Sequence, residues 1–249
     1  MKLLLGGHSK CPIVLLHLET GTLMLRHILK IYRLLYHHHI VTLSEDETLK
    51  KIYNKQKEDS VKGDWVRLVK KDYLFIEEEM NDENIKTMTK NQFKSWVKKR
   101  VEKAAFSSYI KEKNMLSKIK GIEYSKLEAQ KYLTDKRFSC EERKLLFALR
   151  AKCYNAKENF KGMNKHDMKC TLGCNTIENQ EHIFTQCSKL KNENIDMKEY
   201  SAIYENVDQQ KEIIGVFKNI DNARTAAMSL LPGEAIARTR ASRCTMQQT

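Results

Sequence analysis

Two prolines and nine glycines in 249 residues are few, and that scarcity excludes a turn-rich β fold and favours long regular helices. No apolar run approaches the roughly 20 residues of a membrane span. Leu3-Leu4-Leu5 and Ile13-Val14-Leu15-Leu16 are separated by His8, Ser9 and Lys10. The broken run, with a charged region of one lysine, also argues against a secretory signal. No glycine-rich phosphate loop is present. Acidic residues are outnumbered, 32 against 45 Lys and Arg, for a formal charge of +13. That balance points to anionic polymers as partners first and anionic membrane surfaces second. The seven cysteines are odd in number and mostly isolated, so a reducing, intracellular setting, cytoplasmic or nuclear, is expected rather than a disulfide framework.

Against these absences stands one dense stretch, Cys170 to Cys187, with three cysteines and a histidine in the order C-x3-C-x7-H-x4-C. Four soft N/S ligands at this kind of spacing suit a tetrahedral zinc ion wholly ligated by protein. Cys170 and Cys174 can grip an ion across a tight turn, for which Gly173 offers a positive φ. Asn179 reads as the N-cap of a short helix carrying His182. Cys187, five residues on, is expected where that helix frays. The competing reading is a chance cluster of small buried cysteines; a Cys170–Cys174 disulfide fits less well in a chain that does not look secreted. Cys153 and His166 lie near the cluster in sequence but outside its spacing.

Helical periodicity accounts for much of the rest. Leu25, Ile28, Leu29, Tyr32, Leu35 and Tyr36 predict a helix over 23–41, ended by His37-His38-His39. Consecutive helical residues point in different directions, so this triplet is expected to place positive charge at a helix C-terminus rather than to hold a metal. Ser44 and Glu47 predict a capping box for a helix to Lys57, with Leu49, Ile52 and Tyr53 inward. Lys62-Gly63-Asp64-Trp65 reads as a turn opening a helix whose Trp65, Leu68, Val69 and Tyr73 pack in a core. Residues 76–84 read as an acidic, solvated face.

Residues 90–131 form a basic heart with twelve lysines and arginines against four glutamates. Phe93, Val97, Val101, Ala104 and Ala105 predict an apolar stripe that leaves Lys94, Lys98, Lys99, Arg100 and Lys103 outside it. A cationic helix face of this kind suits phosphates, although it also describes an ordinary solvated surface. Ser139 and Glu142 predict a second capping box and a helix to about Asn159, where Arg150 and Lys152 add positive surface. Residues 200–217 could form another helix, and 222–249 read as a loosely ordered basic tail.

Taken in order, several stretches resemble the C-terminal third of the reverse-transcriptase polyprotein of LINE-type (non-LTR) retrotransposons. They are Glu19-Thr20-Gly21-Thr22-Leu23, Arg33-Leu34-Leu35-Tyr36-His37-His38-His39-Ile40, Lys62-Gly63-Asp64-Trp65-Val66, Val97-Lys98-Lys99-Arg100 and Lys103-Ala104-Ala105-Phe106. Leu146-Phe147-Ala148-Leu149-Arg150-Ala151-Lys152-Cys153-Tyr154, Asn159-Phe160-Lys161 and Gln180-Glu181-His182-Ile183-Phe184 before Cys187 complete the series, which spans 19–190. The resemblance implies a region that follows the polymerase thumb and ends in a zinc-binding module thought to help hold element RNA or target DNA. Cys170, Cys174, His182 and Cys187 match that module's ligands one for one. The family's paired catalytic aspartates would precede this region, and no Asp-Asp pair occurs here, so metal-assisted polymerisation is not expected.

The resulting expectation is a mainly α, irregular helical assembly in four parts. These are a helical remnant at 1–60, a basic helical region at 61–160, a zinc knuckle at 161–190 and a weakly ordered basic tail at 191–249. It would be a non-catalytic fragment of a truncated element that binds zinc and contacts RNA or DNA, through phosphates and without reading sequence. The alternative is a zinc-stabilised protein-interaction or purely structural helical module.

Overall fold

The computed structural model describes residues 5, 11–59, 64–159, 168–190 and 195–229; the Lys62-Gly63 turn, Phe160-Lys161, His166 and 230–249 lie outside them. The described residues are mainly α-helical, with no strand beyond a single bridge. The longer helices are α1 (Ile13–Thr20), α2 (Leu25–Thr42), α3 (Thr48–Asp59), α4 (Trp65–Phe75), α5 (Asp82–Lys86), α6 (Lys90–Asn114), α7 (Lys131–Thr134), α8 (Cys140–Arg150), α9 (Met197–Ser201) and α10 (Val207–Ser229). They belong to two units, one formed by Thr20–Glu128 and the other by Met1–Glu19 with Ala129–Thr249. Burial in the first unit runs continuously from α2 to α6, and the knuckle shares a core with the chain on either side of it.

In the Thr20–Glu128 unit, Thr89 caps α6 reciprocally with Gln92, satisfying donors that a helix start leaves bare. Phe93, Val97, Val101 and Ala105 then face inward, as their spacing predicts, and the first three pack with Leu34, Val41, Tyr53, Val69 and Tyr73, with half-buried Ala104 against them. Helix α3 starts at Thr48, after a turn in which Glu47 N–H donates to the Ser44 carbonyl, so the expected Ser44–Glu47 capping box does not form. Leu49 and Ile52 are exposed and only Tyr53 of that trio is buried.

The histidine triplet is also placed differently from its expected role. His37 and His38 are buried, and only His39 is exposed on the last turn of α2. Tyr53 donates to the Asp82 carboxylate at 2.9 Å. It therefore accepts from His37 Nε2 at 3.0 Å, while the Tyr73 hydroxyl meets His37 Nδ1 at 3.2 Å. His38 gives Nε2–H to the Met88 carbonyl and stacks on Phe93. Both ring nitrogens of His37 and Nε2 of His38 are thus engaged, which is what burial of a polar group requires.

Asp82 closes this chain of hydrogen bonds, although the sequence suggested only a solvated acidic face. Burial raises its carboxyl, but hydrogen bonds from His37, Lys57 and Tyr53 outweigh that and hold it well below the usual carboxylate range. A folded value below the unfolded value of about 4 contributes stability that is fully present above that pH and lost as pH falls toward the folded value. Asp82→Asn is therefore expected to lower the urea midpoint at neutral pH and to flatten its decline in acid. Parallel acid limbs for the variant and the natural chain would contradict this.

In the other unit, Ser139 and Glu142 form the predicted capping box on α8. The helix stops at Arg150 rather than near Asn159. Lys152 N–H bonds the Leu149 carbonyl and Cys153 N–H bonds the Ala148 carbonyl, with Lys152 at φ 50°. These two bonds are the reciprocal C-terminal closure usually made by glycine. Glu77, at φ 58°, ends α4 in the same way. A glycine-poor chain thus stops two helices on left-handed Glu and Lys residues, each at a cost of about 1 kcal/mol.

Helix α10 corrects the expectation of a weakly ordered segment after 190. Ile213, Ile214, Phe217, Ile220 and Arg224 form one buried stripe along it, so ordered packing continues past Phe217.

Candidate metal centre and cationic helix face

The Cys/His cluster that could hold a metal ion is built on a tight loop followed by a widened helical turn. Cys170 N–H bonds the Thr176 carbonyl and Glu178 N–H bonds the Met168 carbonyl, pairing the two sides of the loop. At the tip, Gly173 N–H returns to the Cys170 carbonyl with φ at 91°, the left-handed conformation anticipated for it. Asn179 caps the next turn, its side-chain oxygen accepting from His182 N–H at 2.7 Å. His182–Gln186 then forms a π-helical turn rather than a frayed α-helix. Bonding from i to i+5 widens the turn, so a five-residue gap brings Cys187 back to the side of His182.

The four candidate ligand atoms of Cys170, Cys174, His182 and Cys187 lie within 4.8 Å of one another. Cys187 Sγ is 3.9 Å from Cys170 Sγ and 3.7 Å from Cys174 Sγ. Sulfur atoms bound tetrahedrally at a Zn–S distance of about 2.3 Å would be about 3.8 Å apart, so the residues fit such an ion. The donor set, three thiols and an imidazole, is soft and suits a tetrahedral metal site.

Burial disfavours the charged form of each group in the cluster. Burial pushes the Cys187 thiol up to about 12, helped by the neighbouring sulfurs, and raises Cys170 as well. Burial also acts on Cys174, but hydrogen bonds from Ser188 and Cys187 overcome it and bring that thiol down to about 7. Burial lowers His182, favouring the neutral imidazole that ligation needs. Three thiolates this close repel one another unless a cation sits among them.

A surrounding set of contacts, not foreseen from the sequence, holds the loop. Buried Glu178 accepts from Thr171 N–H and from the Arg224 guanidinium, both at 2.7 Å. Thr176 Oγ1 stands 3.1 Å from His182 Nδ1, and Ser188 Oγ stands 3.2 Å from Cys174 Sγ. Beneath the ligands, Phe184 packs edge-on against Tyr154 and Phe217, each with centroids 5.0 Å apart. Arg224, within the stretch expected to be a loose tail, is instead buried on α10.

The other predicted site residues divide. Lys94, Lys98, Lys99, Arg100 and Lys103 are all exposed on α6. Lys98 stands 3.9 Å from Glu102, and Arg100 pairs with Glu78 at 2.7 Å. Arg150, in contrast, is buried, with two nitrogens on Glu19 and a third on the Ile203 carbonyl. Lys152 lies over the Tyr200 and Tyr204 rings and meets the Tyr200 hydroxyl at 3.2 Å. Both leave the set of candidate phosphate contacts, since a helix face judged by charge alone does not disclose an internal partner such as Glu19. Cys153 is buried outside the cluster.

No helix among the described residues is long and apolar enough to cross a membrane. Compared with protein-family models, curated proteins and solved structures, the chain matches none.

Proposed function

We propose that this chain is a non-catalytic, zinc-stabilised segment that binds nucleic acid, of the kind that closes a LINE-type reverse-transcriptase polyprotein. The observation that carries this reading is the convergence of Cys170, Cys174, His182 and Cys187 to within 4.8 Å. Protein side chains would supply all four positions, which is the pattern of a structural ion, since a catalytic one keeps a position open. Zinc would hold the loop against the Phe184–Phe217 core. The exposed cations Lys94, Lys98, Lys99, Arg100 and Lys103 would contact phosphates of RNA or DNA without reading bases.

Affinity for RNA or single-stranded DNA is then expected to fall steeply with salt. The slope of log K against log salt would approach about −3 to −4 if all five cations neutralise phosphates, at about −0.7 each. Neutralising Lys98, Lys99 and Arg100 together should make it shallower. A flat salt response, or no binding at low salt, would refute the proposal.

A second reading, a zinc-stabilised protein-interaction module, is favoured by the exposed Leu25, Leu29 and Tyr36 on α2. It requires that the same triple neutralisation leave partner binding unchanged.

A further inference from the structure

We propose that a groove between α2 and α6 is a subsite for single-stranded nucleic acid, with backbone phosphates along Lys90, Lys94 and Lys98 and an unpaired base on Tyr32. This rests on the nucleic-acid reading above and gives it a place and a strand preference.

The groove, of about 500 Å³, is lined by both helices. His27 lies against Tyr109 and His38 against Phe93, so α2 and α6 run antiparallel. Ile28, Ile31 and Leu35 supply an apolar, half-buried floor. On the α6 side, Lys90, Lys94 and Lys98 recur every four residues, and at 1.5 Å per residue their stations are about 6 Å apart. This is the scale on which phosphates repeat along an unstacked strand. Lys98 also stands 3.9 Å from Glu102 on the next turn.

On the α2 side, Tyr32 and exposed His39 line the groove. Tyr32 is 65% exposed, leaving a ring available to another flat group. A cationic row beside aromatic side chains is the combination that grips single strands: the charges follow the backbone and the rings stack on bases. Apolar walls beside those charges concentrate their field on an anion. A duplex keeps its bases inside and offers only phosphates, so it would gain from the lysines and gain nothing from Tyr32.

The test uses the full, zinc-loaded chain and fluorescence anisotropy, with a labelled oligothymidylate and a duplex of the same length across a salt series. Tyr32→Ala is expected to weaken the single strand roughly five- to hundredfold, to leave duplex affinity unchanged, and to be rescued by Tyr32→Phe. Circular dichroism should confirm its fold. Lys94→Gln should reduce the single-strand salt slope by about 0.7.

If Tyr32→Ala binds the single strand like the natural chain while Lys99→Gln weakens it, the groove is wrong and the wider nucleic-acid reading stands. Equal losses for single strand and duplex would also overturn the stacking site. Absence of nucleic-acid binding at low salt, together with capture of a polyglutamate peptide that Lys94→Gln abolishes, would assign the groove to an acidic protein partner. That result would overturn both readings.

Discussion

Cys187→Ser is expected to abolish tight metal uptake and to open the 168–190 segment, while Thr20–Glu128 keeps its fold. Cys187 is 1% exposed, and its sulfur lies closer than 4 Å to both other candidate thiols. Serine preserves the size of the side chain but offers a poor donor to a soft ion. Structural zinc in small knuckles contributes on the order of 10 kcal/mol at neutral pH, far more than the local hydrogen bonds could replace. Hydrogen exchange should report the loss residue by residue. The Cys170 and Glu178 amides, now bonded across the loop, should lose protection, whereas those of α2 and α6 should keep theirs. Retention of a tightly held zinc by Cys187→Ser would show that this sulfur is not a ligand.

Arg150→Met is expected to destabilise the chain by about 3–5 kcal/mol, the usual consequence of removing one partner from a buried ion pair. Glu19 and Arg150 side chains are 0% and 4% exposed. Arg150 Nε and Nη2 both reach the Glu19 carboxylate, which also accepts from the Tyr132 hydroxyl at 2.8 Å. Methionine fills similar volume but leaves a buried carboxylate without its forked cation. Replacing both residues, with Glu19→Leu added to Arg150→Met, should recover most of the loss, because no charge then remains to be desolvated. Chemical unfolding of the two variants measures the difference. A loss below about 1 kcal/mol accompanied by weaker nucleic-acid binding would instead return Arg150 to the phosphate-contacting face.

The same pair illustrates what the sequence could disclose. Alternation at three and four residues located α6 and α8, because burial of Val97, Val101 and Leu146 leaves a periodic trace. It located α2 as a helix but not its buried face, since Leu25, Leu29, Tyr32 and Tyr36 are exposed while Leu34, His37, Ile40 and Val41 are buried. The Cys/His loop was legible for a related reason: four possible metal ligands stand close together in the sequence, and Gly173 marked the turn between the first two. Partnerships across the chain left no comparable trace. Glu19 and Arg150 are 131 positions apart, and charge alone made Arg150 look like surface. His37 and Asp82 were hidden in the same way, each read from its neighbours in sequence although each belongs to a hydrogen-bonded chain that includes Tyr53. Helix ends were the least legible. Local closure by Lys152 and Glu77 replaces the glycine that normally announces a stop, and the π-helical turn before Cys187 has no propensity signature of its own.

The cationic face of α6 gains meaning from these corrections. Once Arg150 and Lys152 are assigned to internal contacts, the remaining exposed candidates all lie on one helix, and its lysine row borders the groove with Tyr32. On the proposed reading, phosphate contact and base stacking are separable contributions, one to be read from salt dependence and the other from Tyr32 variants.

Native mass spectrometry of the purified full chain, before and after chelation, tests the central claim most directly. A single zinc ion per chain, lost on chelation together with amide protection in 168–190, is the expected result. A chain that is metal-free under zinc-replete conditions and equally protected in that segment would contradict the account, leaving four neighbouring side chains with no ion to gather them.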